Sequence, residues 1–124
     1  MDARRQQVYT AIFSSDGEDL KRMMPDSAIS TSELAEKLLA YGEKQIYLVG
    51  DGYATAKRTL SSNGVNTENT PTLLITENAY SCAVVAQKKY ALGEYTDDKR
   101  LSPTYLRLPQ AERERLEKEK NEKR

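Results

Sequence analysis

The chain has 124 residues, with 19 Lys+Arg against 19 Asp+Glu, no histidine and one cysteine, Cys82. That length fits one domain with one core and leaves no room for two domains facing each other across a cleft. The missing histidine removes the commonest general base and metal ligand, the single cysteine excludes an internal disulfide or thiolate cluster, and the balanced charge gives no electrostatic reason to bind nucleic acid or an anionic membrane unaided.

No apolar run approaches the roughly 18 residues that span a bilayer. The start is polar at once (Asp2, Arg4, Arg5, Gln6, Gln7), which predicts no signal peptide. The expected setting is cytoplasmic.

Residues 6–14 are β-branched and aromatic, with Val8, Thr10 and Ile12 alternating with Tyr9, Ala11 and Phe13. Ser15-Asp16-Gly17-Glu18 is a turn signal, and a second extended stretch is expected over 19–24. The pair predicts an antiparallel hairpin. Ser30 and Glu33 fit a capping box ahead of a helix that carries Leu34, Ala35, Leu38, Leu39 and Tyr41 on one face and stops at Gly42.

Residues 45–49 are short, apolar and bounded by glycine, the pattern of a buried strand. Gly50-Asp51-Gly52 turns the chain into a second helix with Tyr53, Ala56 and Leu60, ending near Asn63-Gly64. Leu73-Leu74-Ile75 reads as strand-like. A longer helix is expected over 78–92, with Ala79, Cys82, Ala83, Ala86 and Tyr90 as a small-residue stripe packed on the domain's own sheet and Cys82 buried. Gly93 stops it.

A polar loop over 94–104 leads to a short extended segment, Tyr105-Leu106-Arg107, read as a strand that closes the fold. Eleven of the last fourteen residues are charged. They predict a solvated helical tail over 109–124 with Glu114–Lys118 and Glu119–Lys123 pairs at i,i+4 spacing. The domain proper is expected over 1–108. The fold class is α/β, a mixed sheet with helices packed against it.

Asp2-Ala3-Arg4-Arg5 leading to Val8-Tyr9, and Pro103-Thr104-Tyr105-Leu106-Arg107 followed by Ala111-Glu112, resemble segments of the bacterial TsaB (YeaZ) family of tRNA threonylcarbamoyladenosine biosynthesis proteins. Between them, residues 46–49, the Gly50-Asp51-Gly52 turn and the alanine-rich helix stand in the order that family shows. The resemblance covers nearly the whole chain and implies a single actin-like, ribonuclease-H-like domain, the second half of a two-lobed protein. The first half's Asp-Thr-Ser strand has no counterpart here, so the chain reads as a C-terminal half. The resemblance further implies a non-catalytic role beside a TsaD-like subunit and an ATPase partner. Together these transfer a threonylcarbamoyl group to a tRNA adenosine. Self-association and much of the partner contact belong to the family's other half.

Other readings stay open. One is a peptidase or nucleotide hydrolase of the TsaD-related group, although the chain has no His-Glu-x-x-His segment and no phosphate loop. Another is a homodimer formed through an exposed sheet edge. Arg4 and Arg5 could meet a partner carboxylate or the tRNA backbone, or Asp2 and an arginine could form a pair that pins a strand end. Gly50, Asp51 and Gly52 occupy the strand-to-helix position where open α/β sheets bind ligands, and equally fit a plain tight turn. Tyr9, Pro103, Tyr105 and Arg107 are the remaining residues that carry the resemblance and are expected at an interface. No cofactor or metal is expected.

Overall fold

The computed structural model describes residues 1–17, 19–42, 44–109, 111, 112, 115, 118 and 119. The chain opens with the expected hairpin, β1 (Gln7–Ser15) antiparallel to β2 (Leu20–Ser30). Its turn is held by Ser15 Oγ, which accepts from the Gly17 amide at 3.1 Å, and by Asp16 Oδ1, which accepts from the Asp19 amide at 3.1 Å. β2 runs six residues past the predicted end. Its register slips twice, between the Thr10–Ser27, Ile12–Met24 and Phe13–Arg22 pairs. Pro25 lies in the first slip. Proline has no N–H to give a ladder, so the strand bulges around it and continues.

Helix α1 (Thr31–Leu39) starts where the capping signal puts it. Ser30 Oγ accepts from the Glu33 amide at 3.1 Å. Glu33 does not complete the box; its carboxylate lies 3.4 Å from Lys37. Leu34, Ala35 and Leu38 are buried, while Leu39 and Tyr41 face outward. Helix α2 (Tyr53–Ser62) buries Ala56 and Leu60, and Leu60 is fully enclosed. The core is Val8, Met24 and Ile29 from the hairpin, the α1 and α2 residues just named, and Val65.

Three predicted strands are absent among the described residues. Residues 44–49 have no regular secondary structure and form no ladder among the described residues, although Ile46 and Leu48 are half-buried against the core. Among the described residues an isolated backbone bond ties them, from the Glu68 amide to the Ile46 carbonyl, and another follows directly, from the Gly50 amide to the Leu74 carbonyl. A strand is defined by its partner, and an apolar alternating run supplies only one side of the pairing. The Leu73-Leu74-Ile75 run instead lies in a single helical turn, α3 (Thr72–Ile75), set up by Pro71. Short apolar runs do not distinguish the two states. Residues 106 and 107 form a bend, and 105–107 pair with no strand among the described residues. The architecture is therefore a mixed α+β small domain, in which a two-stranded hairpin is followed by four helices among the described residues.

Helix α4 (Ala79–Ala91) has the predicted ends. Asn78 caps it through Ser81, and Gly93 at φ 76° follows its last turn. Its packing is not as predicted. It buries no residue, and Cys82 is exposed. The alanine stripe has little area with which to hold a sheet, and the larger Tyr80, Val85 and Tyr90 point to solvent. Of the tail, residues 111, 112, 115, 118 and 119 have helical backbone, and Arg115 meets Glu119 at 3.1 Å. The predicted Glu114–Lys118 and Glu119–Lys123 pairs lie outside the described residues. No helix among the described residues is long and apolar enough to cross a membrane.

Candidate functional site

Three segments far apart in sequence meet at residues 1–4. Residues 1–3 double back along the outer edge of β1. The Tyr9 amide donates to the Met1 carbonyl at 2.9 Å, and the Ala3 amide donates to the Gln7 carbonyl at 2.9 Å. The Met1 ammonium donates to the Tyr9 carbonyl at 2.8 Å. Asp2 and Val8 form an antiparallel bridge.

The turn between these antiparallel stretches is left-handed throughout. Arg4, Arg5 and Gln6 have φ of 61°, 52° and 58°. Non-glycine residues pay roughly 1–2 kcal/mol each for this conformation. Several bonds hold it. The Gln7 amide donates to the Arg4 carbonyl at 3.0 Å. Asp2 Oδ1 accepts from the Arg4 amide at 2.7 Å. The Gln6 carbonyl accepts from both the amide and the hydroxyl of Thr31, at 2.9 and 3.3 Å.

The Gly50-Asp51-Gly52 turn packs directly on this structure. Asp51 Oδ1 accepts from the Asp2 amide at 3.2 Å and lies 3.6 Å from the Met1 ammonium. Asp2 Oδ2 accepts from the Thr55 hydroxyl in the first turn of α2 at 3.1 Å. The Asp51 carboxylate and the start of α2 are thus engaged by residues 1 and 2. From the other end of the chain, Arg107 Nη1 donates to the Ala3 carbonyl at 3.3 Å. Thr104 and Leu106 line a depression of about 240 Å³ with Met1, Tyr9, Thr10 and Ala11.

The structure therefore brings Asp2, Arg4, Tyr9, Asp51, Gly52 and Arg107 together. Arg5 stands beside them on the turn, exposed. Pro103 and Tyr105 are exposed nearby in sequence but make no hydrogen bond or ring contact among the described residues, and Tyr105 is 83% exposed. The pairing expected between Asp2 and an arginine guanidinium does not form. The Asp2 carboxylate caps a backbone amide and a threonine hydroxyl instead, as short carboxylates commonly do in turns. Thr55 and Thr31, which both bond into this junction, carried no sequence signal for it. Each works through a contact that exists only after the elements meet.

A second feature is an apolar groove of about 720 Å³ between β1 and residues 44–49, floored by Leu34, Leu38 and Ala56. No group of three or more His, Cys, Asp or Glu among the described residues could hold a metal ion. The hub offers hydrogen-bond donors, two carboxylates already engaged by backbone and side-chain donors, and two outward guanidiniums. That inventory suits recognition. Comparison with family models, curated proteins and solved structures gives no match.

Proposed function

We propose that this chain is the non-catalytic, actin-like second-lobe domain of a TsaB-like subunit. In that role it supports tRNA threonylcarbamoyladenosine formation with a TsaD-like subunit and an ATPase partner. The observation that carries the reading is the meeting of three segments. The Asp2–Arg4 stretch, the Gly50-Asp51-Gly52 turn and the Pro103–Arg107 stretch are among the parts of the sequence that resemble the family. In the folded chain they are joined by Asp51–Asp2, Thr55–Asp2 and Arg107–Ala3 contacts. A junction of that kind explains why those residue types stand in that order. The role is one of docking and support, since the hub's carboxylates are spent on backbone and hydroxyl donors and the chain has no histidine.

The test is genetic. The gene encoding this chain, with whatever lies in frame before Met1, is expressed in bacteria depleted of their own TsaB-type subunit. Nucleoside mass spectrometry of bulk tRNA then reads threonylcarbamoyladenosine. Restoration is the expected result. Well-expressed protein with no recovery of the nucleoside, and no association with the TsaD-like subunit, would remove the proposal.

A further inference from the structure

We propose that the left-handed Arg4-Arg5-Gln6 turn is a preorganised anion-recognition site whose ligand is a carboxylate-rich segment of a partner protein. The turn is costly. It places three consecutive non-glycine residues at positive φ, and such strain persists only where the surroundings over-determine it. Here they do, through Asp2, Gln7, Thr31 and the Arg107 bond to Ala3. The result is a rigid base under two adjacent arginines.

Both side chains are exposed, and neither has an ion-pair or hydrogen-bond partner among the described residues. Arg22, Arg100 and Arg115 differ, since each meets a carboxylate of its own neighbourhood at 2.8, 3.7 and 3.1 Å. The carboxylate nearest in sequence, Asp2, is occupied by the Arg4 amide and the Thr55 hydroxyl. The two guanidiniums are therefore left for a ligand. A planar guanidinium fork matches a carboxylate in bidentate fashion, and a rigid backbone lowers the ordering cost of binding.

Charge decides between a protein and a nucleic acid. Nucleic-acid affinity comes mainly from neutralising many phosphates, and this chain has no net positive charge. Two forks can still take one or two carboxylates locally. The inference stands on the turn's geometry and would survive the loss of the tRNA-modification reading.

The test is NMR on the full chain, following the arginine Nε–Hε resonances during titration with hexaglutamate, inorganic phosphate or a uridine hexanucleotide. Hexaglutamate is expected to shift Arg4 and Arg5 saturably, with a dissociation constant of about 1 mM at low salt. The shift should fade as salt rises to about 0.5 M. The double variant R4N/R5N removes both forks while supplying the side chain that, glycine aside, best tolerates left-handed backbone, so the fold is kept. It should bind at least roughly tenfold more weakly, with unchanged or raised thermal stability. R4K/R5K keeps the charge without the fork and should fall between. Three outcomes would each overturn the proposal: no saturable shift of Arg4 and Arg5 with hexaglutamate, tighter binding of the hexanucleotide or phosphate, or undiminished binding by R4N/R5N.

Discussion

A β-carbon on Gly52 would lie 3.1 Å from the carbonyl carbon of Met1 and 3.3 Å from its oxygen. Both are backbone atoms of a segment fixed by its own bonds to β1, so neither can swing away as a side chain would. Gly52 is also the N-cap of α2, a position where alanine is worse than glycine. Gly52→Ala is expected to cost about 1–3 kcal/mol by this crowding. It should also speed hydrogen exchange at the Tyr9 amide, which donates to Met1. Unchanged exchange at Tyr9 in the variant would show that the contact carries no weight.

The left-handed turn predicts a substitution that improves the protein. Gln6 stands at φ 58° with its carbonyl held by Thr31. Gln6→Gly removes the steric cost and leaves that carbonyl in place. After glycine's entropic penalty, a net gain of up to about 1 kcal/mol is expected in chemical denaturation. Gln6→Val, β-branched at the same φ, should lose about 1–2 kcal/mol.

Ser30 satisfies an amide of α1 that no residue of the helix can reach. Ser30→Ala should lower stability by about 1 kcal/mol, and Ser30→Asp by much less, since aspartate caps equally well. Equal losses for both variants would mean the serine acts through its place in β2 instead.

Leu60 on α2 is fully enclosed in the core, whereas Val85 on α4 is 55% exposed. Leu60→Ala should cost about 2–5 kcal/mol through lost burial and the cavity left behind. Val85→Ala should stay within about 0.5 kcal/mol. A two-state denaturation series on the pair measures the contrast directly.

Cys82 provides a chemical check on the placement of α4. Its thiol is exposed. It should react with a water-soluble disulfide reagent in the native protein at close to the rate seen in denaturant. Protection by more than roughly a hundredfold would mean that α4 is covered in solution, because protection scales with the opening free energy.

Local signals were legible wherever the responsible atoms lie within a few residues of one another. The Ser30 cap, the Asn78 cap, the glycines after α1, α2 and α4 and the Asp16–Gly17 turn all follow from bonds spanning no more than a helical turn. The buried faces of α1 and α2 were legible in part from helical periodicity: Leu34, Ala35, Leu38, Ala56 and Leu60 are buried, but Leu39 and Tyr41 are not. Residues 45–49 and 73–75 were misread because a short apolar run states burial and not its partner. The α4 stripe was misread because periodicity gives a face but not the area with which to hold it.

The hub divides the same way. Asp2, Arg4, Gly50–Gly52 and Arg107 stood out by residue type and position. Their mutual contacts and the roles of Thr31 and Thr55 did not, since those bonds join residues 25 to 104 positions apart.

By itself, then, the sequence determined the hairpin, the helix ends, the core faces of α1 and α2 and the absence of histidine or disulfide chemistry. Those properties are set by neighbouring residues or by composition. Only the tertiary structure decided that residues 1–3 pair along β1, that Asp51 and Thr55 close on Asp2, and that the arginine turn is left-handed with both its arginines exposed. Each depends on an approach of distant backbone, and the geometry of that approach is fixed by how the hairpin and α2 pack around Val8, Ala56 and Leu60.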